Sequence, residues 1–209
     1  MRRKKILLPF IAFIFSISVA CSSRSEDSNT PTTDKGTLKI EAQIIYTSGG
    51  PQPAARDAFY LLDADLLDVE LPKSESIKNA KSLEEAMTKF SPRQQLKFII
   101  EVARANKMMQ EYAREHRTEI PNLTPDKGET VLLGIELLKR DKENAPHFIQ
   151  SVTTDFQGRA SFDSLKAGDH WIMGVTETRA GFAFWNYKVT VKPGENKVLL
   201  SQENALYSK

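Results

Sequence analysis

Residues 148–200 read FIQSVTTDFQGRASFDSLKAGDHWIMGVTETRAGFAFWNYKVTVKPGENKVLL, and this stretch decides the fold. Short runs of aromatic and β-branched residues alternate here with glycine-containing turns, about 8–12 residues apart, which is typical of an antiparallel β-sandwich. The runs predicted as strands are 148–154, 159–162, 170–176, 182–191 and 197–200.

Two further strands are predicted upstream of this stretch. Residues 38–44 alternate between apolar and polar side chains, as a half-buried strand does. Residues 58–62 read AFYLL and indicate a more deeply buried strand, while the Gly- and Pro-rich cluster at 48–53 predicts a turn between the two. The predicted sandwich therefore takes strands from two separate parts of the chain.

The segment between these parts, about residues 70–143, is predicted to be a helical insertion. Its clearest helix begins after Ser91, because Ser-Pro-Arg-Gln supplies a capping serine, a proline at the first helical position and a glutamine at N3. The helix should run to about His116, and its apolar residues form two stripes at helical spacing, so it could be covered on two sides. The first stripe comprises Leu96, Ile99, Ile100 and Ala103, and the second comprises Val102, Ala105, Met109, Tyr112 and Ala113.

Two other helices are marked less clearly, so the insertion is predicted to hold two or three. Ser82 opens a Ser-Leu-Glu-Glu capping pattern, and Thr124 could cap a helix over residues 125–141. Gly128 and Gly134 lower the helix propensity of that last segment. A buried strand through 131–133 is the competing prediction.

The two β regions resemble the carboxypeptidase regulatory-like domains, which share a transthyretin-like β-sandwich. The matching features are the Thr-Asp-Phe-Gln-Gly turn at 154–158, Leu165, Gly168, Trp171 and the late Gly194 before an apolar strand. The resemblance covers about residues 37–62 and 147–203. It implies a mainly β protein, an antiparallel transthyretin-like sandwich interrupted by helices, with a non-catalytic accessory or binding role.

The N-terminus reads as an export signal. Basic residues at positions 2–5 precede an apolar run over 6–20, which is shorter than the ~20 residues that a spanning helix needs. The run ends in Ser-Val-Ala-Cys, which resembles the lipobox of bacterial lipoproteins. That resemblance implies cleavage before Cys21, acylation of Cys21 and attachment to a membrane of the cell envelope. A plain signal peptide with a chance cysteine and an uncleaved anchor are the alternatives.

The residue after Cys21 indicates which membrane of the cell envelope would hold the protein. Position 22 is Ser22 and not the aspartate that resembles an inner-membrane retention signal, so the outer membrane, facing the periplasm, is favoured if the host has two membranes. Residues 22–36 lack large apolar side chains and predict a flexible tether of about 20 Å. The predicted organisation is a signal peptide at 1–20, a lipidated cysteine and tether at 21–36, and a sandwich domain at 37–205.

Composition limits the classes of partner. Removing the signal leaves 25 of the 29 basic residues against 27 acidic ones, so the mature chain lacks the basic surplus that nucleic-acid binding needs. Cys21 is the only cysteine in the chain, which excludes an internal disulfide. Packing alone must therefore stabilise the predicted sandwich.

The sequence carries none of the common catalytic motifs. Serine-nucleophile, phosphate-loop, dinucleotide-binding and His-Glu-x-x-His patterns are missing, and His116, His147 and His170 lack metal-ligand spacing. Asp63, Asp65 and Asp68 lack the glycine and distal glutamate of a calcium loop, although Asp63 and Asp65 would share a strand face that could serve calcium. A solvated strand end is the favoured interpretation. We predict no catalytic residues, no metal and no cofactor. A hydrolase that uses helix carboxylates remains a less favoured alternative.

Two pairs of residues are candidate binding surfaces. Trp185 and Tyr187 share one face of the 182–191 strand and, if exposed, would suit a sugar ring or a protein hot spot, whereas burial of both strand faces would make them core. Met109 and Tyr112 belong to the second helical stripe, which would be a docking surface if exposed. The predicted function is a membrane-anchored, non-catalytic interaction module for an envelope protein or a glycan. A structural accessory subunit of a membrane-bound complex is the alternative.

Overall fold

The computed structural model describes residues 34–45, 50–73, 85, 87–119, 128–178 and 181–208. The chain divides into two compact units, Met1–Pro31 and Thr32–Lys209, and the description below concerns the second. The predictions about the signal peptide at 1–20, about Cys21, about most of the tether and about the caps Ser82 and Thr124 lie outside the described residues.

The first sheet is built around β1 (Lys35–Ile45), whose alternate residues Leu38, Ile40, Ala42 and Ile44 are buried. Because side chains alternate between the faces of a strand, the polar residues between them point away from the core. Three strands pair with β1: β2 (Pro51–Pro53) and β5 (Arg159–Lys166) run antiparallel to it, and β8 (Gly194–Leu200) runs parallel to it.

The second sheet has five antiparallel strands in the order β4-β3-β6-β7-β9. They are β3 (Ala58–Leu62), β4 (Phe148–Thr153), β6 (Gly168–Thr178), β7 (Gly181–Val191) and β9 (Tyr207–Ser208). Its inner face packs on the first sheet and contributes Phe59, Ile172 and Trp185 to the sandwich core. A Cβ on Gly174 would lie 2.3 Å from the ring of Phe59, so the glycine makes room for that ring.

Two helices cover the outer face of the second sheet. They are α1 (Pro92–His116) and α2 (Gly128–Arg140), and a 3-10 helix (Ala145–His147) leads into β4. The predicted capping box is confirmed, since the Gln94 side chain accepts from the Ser91 amide at 3.0 Å and the Ser91 hydroxyl accepts from the Gln94 amide at 3.4 Å. Within the described residues, no helix is long and apolar enough to span a membrane.

The helical layer buries its own core against the sheet. Leu96 and Ile100 of α1 and Ile135 of α2 belong to one buried cluster with Phe184, which lies on the outward face of β7. Residues 131–133 belong to α2, so the competing strand prediction is wrong. Gly134 lets the two helices approach closely, because a Cβ there would lie 2.9 Å from the Leu96 side chain.

The predicted fold class is confirmed: the protein is mainly β, a sandwich with a helical insertion. Three details differ from the sequence-based prediction. The β1–β8 pairing is parallel, part of the 48–53 turn cluster forms β2, and the ordered domain extends past 37–205, from β1 at Lys35 to β9 at Ser208. The two-residue strand β9 is too short for alternation to mark it, although Tyr207 is buried against Phe182 with ring centroids 5.0 Å apart.

Candidate ligand-binding cleft

Strand pairing creates a polar grid on the outer face of the first sheet. Glu41 of β1 lies between Arg159 of β5 and Leu199 of β8. Two residues earlier, Lys39 lies between Ser161 and Lys197. These side chains come from three distant parts of the chain and share one face only because β5 and β8 both pair with β1.

This grid forms the floor of an open cleft with a volume of about 630 Å³. Six polar or charged residues line it: Lys39, Glu41, Asp155, Arg159, Ser161 and Lys197. Leu199 adds an apolar side chain, which is partly exposed. Ile40, Ala160 and Val198 also line it, so the lining combines hydrogen-bond donors and acceptors with apolar surface, as ligand sites do.

Ion pairs organise one side of the cleft. The Glu195 carboxylate contacts the Lys39 ammonium at 2.5 Å and the Lys197 ammonium at 3.0 Å. These hydrogen bonds, with that from Lys39 the larger cause, lower the pKa of Glu195, which is therefore ionised at neutral pH. Both lysine side chains remain at least half exposed, so they are accessible to a ligand.

The Asp155 carboxylate is hydrogen-bonded within the protein, whereas the Arg159 guanidinium is not. The Asp155 carboxylate accepts from the backbone amides of Gln157 at 2.8 Å and Arg159 at 2.9 Å, and the bond from Arg159 is the larger cause of its lowered pKa. The Arg159 guanidinium lies 3.7 Å from the Glu41 carboxylate, which is beyond hydrogen-bond distance. It makes no hydrogen bond to any described residue, and its side chain is 58% exposed.

An exposed aromatic ring belongs to the turn at one end of the cleft. Phe156 follows Asp155 and is 70% exposed, and the Arg56 guanidinium lies 4.4 Å from its ring centroid. Gly158 closes the turn with a φ of +75°, and a Cβ there would lie 2.3 Å from the carbonyl oxygen of Ala42. The turn is thus packed directly on β1.

The residues predicted to form the two candidate surfaces differ in their exposure. Trp185 is fully buried, and its indole N–H donates to the Ser201 carbonyl at 2.9 Å, so it cannot form a binding surface. Tyr187 is half-buried against the sandwich core. The reason is that the helices cover the Phe182 and Phe184 face of β7 while the first sheet covers the other.

Met109 and Tyr112 are exposed on α1, by 37% and 57%. Six of the ten exposed large apolar residues in the described part of the chain lie on the two helices. They are Met108, Met109, Tyr112, Leu132, Leu133 and Leu137, here called the helical apolar surface. The Tyr112 ring stacks on His116 with centroids 3.9 Å apart.

The predicted aspartate run is dispersed. Asp63 contacts His147 Nδ1 at 2.8 Å, whereas Asp65 accepts from the Asn186 side-chain amide at 2.8 Å and from the Leu67 amide at 2.9 Å. Asp68 lines a smaller cleft of about 300 Å³ with Asp65. Among the described residues, no group of His, Cys, Asp and Glu is arranged to hold a metal ion.

Comparison with known protein families finds no match, and comparison with curated proteins finds none either. Among solved structures, the chain is similar to a candidate carbohydrate-binding protein from Pseudomonas aeruginosa, with 16% identity, 83% of this chain and 92% of that chain covered, and a TM-score of 0.35. It is also similar to a pilus backbone protein from Streptococcus pneumoniae, with 16% identity, coverage of 78% and 40%, and a TM-score of 0.29. The chain spans less than half of that pilin. Overlaps this weak assign neither a ligand nor a partner.

Proposed function

We propose that this chain is an exported bacterial lipoprotein, anchored through Cys21, whose sandwich domain binds a saccharide of the cell envelope in the cleft of the first sheet. The cleft is the observation that carries the proposal. Its polar side chains can hydrogen-bond sugar hydroxyls, and the exposed Leu199 side chain offers apolar surface on which the apolar face of a sugar can pack. The role is non-catalytic.

Two features of the sequence support the proposed membrane anchoring and the proposed binding role. The basic n-region, apolar run and Ser-Val-Ala-Cys pattern support export and lipidation. The resemblance to carboxypeptidase regulatory-like domains supports a binding role for the sandwich. A tether of about 20 Å would hold the cleft near the membrane surface, where envelope glycans are found.

A glycan array tests the proposal with the full chain extracted from membranes in mild detergent. We expect the wild type to retain saccharides and the double variant Lys39→Ala/Lys197→Ala to retain at least ten-fold less. The matched control is Lys188→Ala, which removes an equally exposed lysine from the second sheet, where it pairs with Asp169. An array without retained saccharides, or equal retention by the double variant, would overturn the proposal.

The helical apolar surface favours a second candidate function, the docking of an envelope protein by an accessory subunit. Met108, Met109 and Tyr112 lie within about one turn of α1, and neighbouring exposed apolar side chains mark contact sites more often than single ones do. A photo-crosslinking residue at Tyr112 should capture a reproducible protein in intact cells, whereas the same residue at Thr190, on the far end of β7, should not. Equal labelling from both positions would contradict this function.

A further inference from the structure

We infer that the cleft recognises a neutral saccharide, and that Glu41 and Arg159 together bind two adjacent hydroxyls of one sugar ring. This inference rests on the proposed function, since it names the chemical class of ligand for the same cleft. Its basis is a carboxylate and a guanidinium that lie side by side, 3.7 Å apart, and make no hydrogen bond to each other or to any other described residue.

The charges at the cleft balance, which favours a ligand without charge. Three cations and three carboxylates line the cleft or contact its lining: Lys39, Arg159, Lys197, Glu41, Asp155 and Glu195. Glu195 already contacts both lysines. An anion bound by Arg159 would lie beside the Glu41 carboxylate, and a cation bound by Glu41 would lie beside the Arg159 guanidinium. Like charges brought together in this way weaken binding, so the pair selects against charged ligands of either sign.

Adjacent sugar hydroxyls match what this pair offers. A carboxylate only accepts hydrogen bonds and a guanidinium only donates them, whereas each hydroxyl does both. Two neighbouring hydroxyls of one ring can therefore donate to the oxygens of Glu41 and accept from the planar fork of Arg159. A direct ion pair would occupy these groups, but at 3.7 Å both side chains keep their donors and acceptors free for a ligand.

Strand pairing supplies apolar surface in line with the charged pair. Glu41 lies opposite Arg159 of β5 on one side and opposite Leu199 of β8 on the other, so the three residues form one row across the sheet. Neighbouring strands lie about 4.8 Å apart, which makes the row about 10 Å long, enough for one sugar ring with its hydroxyls. Leu199 is 48% exposed at one end of the row. The apolar face of a sugar ring packed there would direct its hydroxyls along the row toward Glu41 and Arg159.

The test uses an array of polysaccharides that differ in charge, and the full chain in mild detergent. Mannan, galactan and dextran are neutral and present adjacent hydroxyls in different orientations, polygalacturonate is anionic, and chitosan is cationic. A second copy of the array is treated with periodate, which cleaves the bond between adjacent hydroxyl-bearing carbons, and then with borohydride, which reduces the resulting aldehydes to alcohols. The treated polymers keep hydroxyls but lose the pair that one ring holds together.

Two variants test the two members of the pair. Glu41→Gln removes the charge and puts an amide donor in place of one acceptor oxygen, and Arg159→Gln removes both the charge and the fork. Glu111→Gln and Arg114→Gln, at exposed positions of α1, are the matched controls. Thermal unfolding of each variant should show that the fold is retained, because β1 and β5 pair through backbone groups.

We expect at least one neutral polysaccharide to be retained ten-fold or more above polygalacturonate and chitosan, and this retention to be lost after periodate treatment. Glu41→Gln and Arg159→Gln should each reduce it at least ten-fold, whereas the two controls should not. Preferred retention of a charged polymer, retention that survives periodate, or retention that either variant leaves unchanged overturns this inference but leaves the proposed function standing. An array that retains nothing overturns the proposed function itself.

Discussion

The Tyr60 hydroxyl donates to the Glu136 carboxylate at 2.9 Å, which joins β3 of the second sheet to α2 of the helical layer. Lys139 donates to the same carboxylate oxygen at 2.9 Å and lies 4.6 Å from the centroid of the Tyr60 ring. Burial, followed by the hydrogen bond to Glu136, raises the pKa of Tyr60. The hydrogen bond from Lys139 is the largest cause that lowers the pKa of Glu136.

Tyr60→Phe should therefore destabilise the domain without disturbing its packing. The ring stays buried, but a hydrogen bond to a charged acceptor is lost, so we expect about 1–2 kcal/mol less free energy of unfolding. Urea titration of the full chain measures it. Tyr112→Phe, which alters an exposed ring, is the control and should change nothing.

The same pair predicts a pH dependence. The pKa of Glu136 is lower in the folded protein than its ordinary value of 4.5, so its contribution to stability is present above that value and is lost as the pH falls through the folded pKa. The difference in unfolding free energy between wild type and Tyr60→Phe should accordingly shrink below about pH 4.5. A difference that stays constant from pH 7 to pH 3 would contradict this role of the bond.

Local sequence patterns predicted most elements of the fold. Alternation at 38–44 placed β1, and the capping box at Ser91 placed the start of α1 at Pro92. Both signals are local, since a strand face and a helix cap depend on residues a few positions apart. The parallel pairing of β8 with β1 was not predicted. The alternation of apolar and polar residues indicates on which face of a sheet a side chain lies, but it does not indicate which strand is the neighbour.

The candidate site could not be read from the sequence for the same reason. Lys39, Arg159 and Lys197 look like ordinary outward residues of three separate strands, and they meet only through pairing across more than a hundred positions. For Trp185, alternation separated the two faces of β7 correctly. It could not show that the helices and the first sheet cover both faces.

The buried position of Trp185 predicts a spectroscopic result. In the Trp171→Phe variant, Trp185 is the only tryptophan left, and we expect blue-shifted emission that acrylamide quenches poorly, because the indole is enclosed by the sandwich core. Trp185→Phe should lower the free energy of unfolding by about 1–3 kcal/mol, through lost volume and an unpaired Ser201 carbonyl. Quenching at the rate of free tryptophan would show that Trp185 is exposed after all.

The closed turn beside the cleft predicts that alanine destabilises the protein more at Gly158 than at Gly194. Gly158 and Gly194 both have positive φ, but a Cβ would lie 2.3 Å from a backbone oxygen at Gly158 and would meet nothing within 4 Å at Gly194. Gly194→Ala should cost about 1 kcal/mol of unfolding free energy, through its φ alone. Gly158→Ala should cost at least twice that, as measured by thermal unfolding. Equal costs would mean that the turn moves away from β1 without penalty.

The proposed anchor predicts where the protein is found in cells. Cys21→Ser removes the acylated residue, and several acyl chains on one residue are what make such anchoring durable. The predicted mature chain carries slightly more acidic than basic residues, so attraction to anionic lipids cannot replace the anchor. We expect wild type in the membrane fraction after a carbonate wash and Cys21→Ser in the soluble fraction. In a host with two membranes, Ser22→Asp should remain membrane-bound but move to the inner membrane, which separates anchoring from sorting. Persistent membrane association of Cys21→Ser would contradict lipidation at this residue.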